Sequence, residues 1–142
     1  MADYQRSEVY RWEWEHIHPR DKSVVQIEQA QCVVNHIWNT AGLLYPPTVQ
    51  SMSKNATRCL GRANRLLIQL REKVSTSVII HEVAHSMTTT MDDHTAGHGK
   101  LFMGMYIKLL DKHNVMSLPQ SMFLLNKHRI DFDINATPVF LD

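Results

Sequence analysis

The sequence predicts a single α+β domain over residues 1–142, in which one long helix and three short strands precede three further helices. Apolar residues recur at three- and four-residue steps in 24–40 and 100–112, which is the spacing of amphipathic helices. Short apolar runs separated by turn residues in 48–71 indicate strands. A nearly all-apolar stretch at 76–87 carries two histidines four residues apart, which is typical of a central buried helix.

The composition bounds the class of protein. The chain is long enough to bury a core, and its 44% apolar and 20% charged residues are ordinary for a globular domain. A net charge of +1 gives no indication of nucleic acid or a membrane surface as partner. The polar N-terminus lacks a signal-peptide core, and no apolar run reaches the roughly 20 residues of a membrane span, so we expect a cytoplasmic protein.

The two cysteines, Cys32 and Cys59, are isolated and follow no metal or disulfide pattern. They are interpreted as reduced thiols of a cytosolic chain or as ordinary small buried residues. A disulfide between them remains an open alternative at this point.

Residues 9–17 fit two kinds of secondary structure. Three aromatic residues alternate there with charged ones: Tyr10, Trp12 and Trp14. The period of two is typical of a strand, yet the stretch also fits one or two helical turns. We expect the aromatic rings to form an apolar lid or edge against the core, with a substrate-facing surface as the alternative. His16 and His18 are expected to be solvated.

A long amphipathic helix is predicted from about Val24 to Thr40. The residues Ser23–Gln26 resemble a capping box at its start, and Gly42 is placed to end it. Its apolar stripe consists of Ile27, Ala30, Val34, Ile37, Trp38 and Ala41. The following Pro46–Pro47 favours an extended linker.

Three short strands are predicted near Thr48–Met52, Thr57–Leu60 and Arg65–Arg71. Turn residues separate them at Lys54–Asn55 and at Gly61–Asn64. Several basic residues give this region a mild positive bias, which is interpreted as a solvated sheet face. The less favoured interpretation of this positive charge is that it binds an acidic or nucleic-acid-linked substrate.

The stretch HEVAH at His81–His85 carries the clearest chemical signal. Ser75–Ser77 supplies N-cap oxygens for its helix. Residues four apart lie on one helix face, about 6 Å from each other, so both imidazoles can reach one metal ion. Glu82 leaves the helix about 100° round, near enough to act on a water molecule at that ion. This is the H-E-x-x-H pattern of zinc hydrolases; the alternative is a pair of hydrogen-bonded core histidines.

A catalytic zinc normally has three protein ligands and one water, so a third ligand is expected outside this helix. We favour His98, because the flanking Gly97 and Gly99 permit a tight turn at the start of the next helix. His94 is the alternative ligand. The metzincin continuation of the motif is absent, which excludes that subclass.

The C-terminal third predicts two helices and an extended tail. The first helix runs from about Lys100 to Lys112, and Ser117–Pro119 marks the start of the second. The alternating residues Ile130–Ile134 fit a short strand or an extended arm. The apolar end, 137–142, should dock on the core or on a partner.

These motifs resemble a known family. His81–His85, twelve residues and then His98–Phe102 (HGKLF) resemble the HExxH…HGxxF signature of SprT-like and minigluzincin-type zinc metallopeptidases. Gln5–Glu13 (QRSEVYRWE) is similar to the opening of a group of small bacterial and phage metallohydrolases. With two cysteines, the chain cannot form the cysteine-rich zinc ribbon that SprT-like proteins such as Spartan often carry.

The resemblance implies a zincin-like fold, a Zn²⁺ cofactor and a sheet edge that holds an extended peptide. It implies that Glu82 is the catalytic base and that the metal ligands are His81, His85 and His98. We therefore expect a zinc-dependent hydrolase, foremost a metallopeptidase acting on a peptide or protein substrate, in which Glu82 accepts the proton of the attacking water.

Two alternatives remain open. The chain could be a non-catalytic zinc-binding or phage–host interaction module with a structural or vestigial site, to which His94 would give a fourth ligand. It could also hydrolyse a non-peptide amide or ester. Tyr106 is expected to pack rather than to stabilise an oxyanion. The candidate carboxylates for orienting the ligand histidines are Asp92, Asp93 and Asp111.

Overall fold

The computed structural model describes residues 3–53 and 59–142 of the chain, and it has the α+β architecture expected from the sequence. Its elements in chain order are α1 (Arg6–Trp12), a π-helical turn (Glu13–Ile17), β1 (Val25–Gln26), α2 (Ile27–Thr40), β2 (Thr48–Ser51), β3 (Gly61–Ala63), β4 (Leu67–Leu70), β5 (Lys73–Val74), α3 (Thr76–Met87), α4 (Lys100–Lys112) and α5 (Leu118–Lys127).

The N-terminal stretch is helical and not a strand. The helix α1 runs directly into the π-helical turn, and the three aromatic residues of this stretch differ in burial. Trp12 is fully buried, whereas Tyr10 is 44% and Trp14 is 75% exposed. The expectation of an apolar lid or edge packed against the core therefore holds fully for Trp12 alone.

The helix α2 begins at Ile27, three residues later than predicted, and ends at Thr40 as predicted. The expected capping box at Ser23–Gln26 is not formed, because Val25 and Gln26 pair with β5 as a short antiparallel ladder. The helix has no side-chain cap at its start. Gly42 has a φ of 83° just after its end, in the left-handed region that glycine tolerates best.

A three-stranded sheet has the order β2-β4-β3, with β2 parallel and β3 antiparallel to β4. The first and third predicted strands are confirmed with shorter bounds. The middle one is wrong in position: β3 begins at Gly61, where a turn was predicted, because pairing with β4 overrides the weak strand preference of glycine. Residues 57–58 of that predicted strand, and the predicted turn at 54–55, lie outside the described residues.

The central helix α3 packs against α2, α4 and the sheet, and ten of its twelve residues are buried. Side chains satisfy three backbone N–H groups at its start. Ser75 Oγ accepts from Val78 N at 3.3 Å, as the sequence predicted for the N-cap. Asp21 accepts from Ser77 N at 2.7 Å, and Ser23 Oγ accepts from Thr76 N at 2.9 Å. Ser23 thus caps α3 instead of α2, and a distant segment fixes where α3 begins.

The helices α4 and α5 confirm the predictions for the C-terminal third, and Ser117 caps α5 as expected. The tail crosses α4 closely, since a Cβ at Gly104 would lie 1.8 Å from Asp133 O. The residues Ile130–Ile134 form no strand: 130–133 have no regular secondary structure, and Ile134 lies in a turn.

The apolar end of the chain docks on the core, as predicted. Phe140 stacks on Trp38 with ring centroids 5.8 Å apart, and Cζ of the Arg65 guanidinium lies 4.7 Å from the Trp38 ring centroid and 4.2 Å from that of Phe140. Asp142 accepts hydrogen bonds from Trp38 Nε1 and from two backbone N–H groups. Within residues 3–53 and 59–142, no helix has the length and apolar character needed to cross a bilayer.

Candidate metal centre

The structure brings together the three histidines that the sequence singled out. His81 and His85 lie one turn apart on α3, and His98 lies in the loop before α4. One ring nitrogen from each lies within 4.8 Å of the other two. His85 Nε2 and His98 Nε2 are 3.1 Å apart. His94 is exposed and is not part of this group.

The loop before α4 holds His98 through contacts with the N-terminal residues. Gly97 has a φ of 57°, which makes the predicted tight turn possible. Asp3 Oδ2 accepts from both the backbone N–H of His98, at 3.1 Å, and its Nδ1, at 2.6 Å. Gln5 Nε2 donates to His98 O at 2.9 Å. The imidazole of His98 is therefore fixed with Nε2 toward the other two rings.

His81 is oriented by a buried carboxylate that sequence reasoning did not identify. Its Nδ1 lies 2.7 Å from Glu13 Oε2, and the Tyr106 hydroxyl donates to the same oxygen at 2.6 Å. Tyr106 is fully buried and packs in the core as expected. Its hydroxyl group has a second role, because its hydrogen bond holds Glu13 in position. The Nε2 of His81 is thus left free to face the histidine group.

The three aspartates proposed for this orienting role do not fill it. Asp92 and Asp93 are exposed in the loop after α3, and Asp111 lies near the far end of α4, where it accepts from Leu118 N. The carboxylates behind the rings come instead from Glu13 and Asp3. The residues Gln5–Glu13 carried a signal in their resemblance to other metallohydrolases, but that resemblance assigned no role to them.

The buried charges tune the three imidazoles differently. Burial opposes charge on His81, but the charge and hydrogen bond of Glu13 outweigh it and raise the pKa of His81 to about 9. Burial, with His81 and His98 nearby, holds the pKa of His85 well below its usual value. Burial also lowers the pKa of His98, against the pull of Asp3. A carboxylate that accepts from Nδ1–H raises the basicity of Nε2, the nitrogen left to bind a metal cation.

Glu82 is buried beside this group, against the edge strand β3. A Cβ at Gly61 would lie 2.9 Å from Glu82 Cγ and Oε2, so glycine leaves the space that the carboxylate occupies. Burial, opposed by the charge of His81, raises the pKa of Glu82 to about 7. A carboxylate with that pKa can exchange protons near neutral pH.

A cavity of about 320 Å³ opens onto Glu82 and His81. Tyr10 lines it and makes an edge contact with His98, with ring centroids 5.0 Å apart. We expected His16 and His18 to be solvated. Instead both are partly buried: His18 lines the cavity, and His16 contacts His128. Two arginines, Arg6 and Arg71, and the free Cys59 also line the cavity.

The donor set fits a metal ion. Two nitrogens bound at about 2.0–2.1 Å to a tetrahedral ion lie about 3.3 Å from each other. The observed 3.1 Å between His85 and His98 is close to that separation. Two of the three rings have a carboxylate on Nδ1, the arrangement that orients metal-binding histidines. The buried group His81, His85 and His98 can therefore hold a metal ion.

Comparisons of the chain with models of protein families, with curated proteins and with solved structures find no match.

Proposed function

We propose that the protein is a metal-dependent hydrolase, and specifically a zinc metallopeptidase with a zincin-like fold. The observation that carries this proposal is the position of Glu82, buried beside three convergent histidines and facing a cavity. A three-histidine group with an adjacent carboxylate has the composition of a catalytic rather than a structural zinc site, which would have four protein ligands.

The chain supplies His81, His85 and His98 as ligands for the ion. When bound, zinc lowers the pKa of a water ligand to about 7 and polarises a carbonyl group. Imidazole ligands are borderline donors suited to zinc. Glu13 and Asp3 act from behind, because their hydrogen bonds to Nδ1 fix which nitrogen each ring presents.

Glu82 is the general base in this proposal. Its carboxylate accepts a proton from the attacking water and then returns that proton to the leaving amine. The pKa of about 7 supports both steps, since the group is partly ionised near neutral pH. Its position beside Gly61 keeps it at the wall of the cavity, where a substrate carbonyl would lie.

Tyr10 is the phenol best placed to assist. It lines the cavity and contacts the ring of His98, whereas Tyr106 is engaged with Glu13. Its pKa is raised by burial, so the hydroxyl stays protonated and can donate to a developing oxyanion.

The edge strand β3 supports a peptide as substrate. It is an outer strand of the sheet in the described part of the chain, and its first residue contacts Glu82. An extended peptide paired with such an edge gains main-chain hydrogen bonds that do not depend on sequence. The guanidinium groups of Arg6 and Arg71 at the cavity favour acidic groups near the scissile bond.

The test is hydrolysis of a proteome-derived peptide library by the zinc-loaded protein, with and without DNA. We expect new peptide termini with the wild type and none with Glu82→Gln, which should still bind one zinc at this centre because its ligands are unchanged. Glu72→Gln, an exposed glutamate before β5, is the matched control and should cleave as the wild type does. Full activity in Glu82→Gln would show that the base is misassigned, and an inactive wild type would count against peptide hydrolysis.

A further inference from the structure

A second group of potential metal ligands lies away from the cavity, where the π-helical turn meets the end of α5. Ligand atoms of Glu15, His16 and His128 all lie within 4.8 Å of one another. His16 Nε2 and His128 Nε2 are 3.0 Å apart. Glu15 Oε2 lies 3.5 Å from His128 Nε2 and 3.8 Å from His16 Nε2. We propose that these three side chains form a second site for a divalent metal ion.

The orientation of His128 supports this assignment. Its Nδ1 lies 3.3 Å from Glu8 Oε2, so its Nε2 faces His16 and Glu15. The first centre uses the same arrangement, with a carboxylate on Nδ1 of His81 and of His98. A carboxylate behind a histidine raises the basicity of the inward nitrogen and holds the ring in one orientation.

The surrounding contacts leave one carboxylate oxygen for the ion. Arg11 Nε lies 3.2 Å from Glu15 Oε1, which directs Oε2 toward the two imidazoles. The side chains of His16 and His128 are 26% and 12% exposed, so an ion from solvent can reach them.

The chemistry of the donors selects the kind of metal. Two imidazoles and one carboxylate suit zinc, nickel or copper, whereas calcium and magnesium require mainly oxygen ligands. Arg11, Lys127 and Arg129 line the adjacent surface and repel a dication. We therefore expect the second site to bind more weakly than the buried centre.

A metal at this site would join two parts of the chain that are 112 residues apart. Glu15 and His16 belong to the π-helical turn that begins with Glu13, and His128 is the C-cap of α5. An ion bound by all three side chains would link the π-helical turn to the end of α5. The same turn carries Glu13, which orients His81. Because the ion binds the folded state, its occupancy should add to the stability of the whole protein.

The experiment is zinc titration of the full chain, followed by calorimetry and by metal analysis after gel filtration. The wild type should bind two equivalents with different affinities, and His128→Gln should bind one, with the weaker equivalent lost. His16→Gln is a second variant with the same expected result. His94→Gln, which removes an exposed histidine outside both groups, should still bind two. Saturating the weaker site should raise the melting temperature of the wild type by a few degrees but not that of His128→Gln.

The two centres can be told apart in this experiment. If the wild type binds one equivalent, and that one is lost in His98→Gln, the second site is refuted while the proposed hydrolase centre stands. If His128→Gln and His16→Gln both retain two equivalents, His16 and His128 share a hydrogen bond only. If the wild type binds zinc at the Glu15–His16–His128 site but not at the His81–His85–His98 centre, the second site is supported and the proposed hydrolase centre is refuted.

Discussion

The side chain of Glu82 occupies the volume at the wall of the cavity that a side chain at residue 61 would need. A methyl group at residue 61 would lie 2.9 Å from Glu82 Cγ and Oε2, closer than real Cβ contacts allow. Gly61→Ala should therefore displace the carboxylate and lower hydrolysis at least ten-fold, since catalytic groups tolerate little misplacement. Peptide cleavage and zinc stoichiometry measured on the same sample provide the check, because zinc binding should be unchanged.

The control for that substitution is Arg62→Ala, which truncates the exposed neighbour on the same strand. It should leave the position of Glu82 as it is. If Gly61→Ala cleaves peptides as fast as the wild type, the carboxylate of Glu82 does not need its present position.

Glu13 is expected to control metal affinity without touching the ion. Glu13→Gln keeps the shape of the side chain but removes the negative charge of the carboxylate whose oxygen accepts from His81 and Tyr106. Loss of such a supporting carboxylate typically lowers metal affinity 10- to 100-fold. Competition with a chromophoric chelator would measure the loss. Tyr106→Phe, which removes one of the two hydrogen bonds to Glu13, should give a smaller effect.

Equal zinc affinity in Glu13→Gln and in the wild type would contradict that role. The exposed Glu28 on α2 offers a comparison, because Glu28→Gln removes the same charge far from the centre and should not change zinc affinity.

The three histidines could be predicted from sequence, but their supporting groups could not. The pair at His81 and His85 depends on helix geometry over four residues, and His98 follows in the next loop, so local rules suffice. Glu13 and Asp3 lie 68 and 95 residues from their histidines, and no local pattern encodes such contacts. The strand-like alternation at 9–17 also masked the π-helical turn that carries Glu13.

The start of α3 depends on a carboxylate from another part of the chain. Asp21 accepts from Ser77 N and from Ser23, and these hydrogen bonds outweigh burial and hold its pKa below the usual 3.8. Asp21→Asn keeps one accepting oxygen but loses the charge and the second acceptor, so it should lower the free energy of unfolding by about 1 kcal/mol at neutral pH, the size of one lost hydrogen bond. Urea denaturation at neutral pH would measure it, with Asp92→Asn as an exposed control.

The same contact predicts a pH dependence. A carboxylate whose pKa is lowered on folding contributes its full stabilisation above 3.8 and loses it as the pH falls through the folded value. The stability difference between the wild type and Asp21→Asn should therefore shrink as the pH falls below 3.8. A difference that stays constant through that range would mean that the charge of Asp21 does not support α3.

The helices were predicted more accurately than the strands. The bounds of α4 match the prediction because its apolar stripe repeats over more than three turns and is therefore a strong signal. The strands β1 and β5 have two residues each, too few for any periodicity, and exist because Val25 pairs with Val74. The start of α2 was misplaced for the same reason, since β1 takes residues that a helix could have used.

Chelation should separate catalysis from folding for the whole molecule. The core around α3 consists of apolar side chains outside the histidine group and is closed by the docking of Phe140 on Trp38. Removing the metal should therefore abolish peptide cleavage while the far-ultraviolet circular dichroism signal is kept, and added zinc should restore activity. Unfolding on chelation at room temperature would instead identify a structural metal site.

The buried centre draws its parts from separate regions of the chain: Asp3, Gln5 and Glu13 from the start, two ligands from α3 and His98 from the loop before α4. A chain with α3 formed but with neither α4 nor the N-terminal residues docked would have two imidazoles and no backing carboxylates, and so only a weak hold on an ion. In the proposed hydrolase, tight metal binding would thus be a property of the finished tertiary structure. During biosynthesis, zinc would therefore bind to the proposed centre only after the polypeptide has folded.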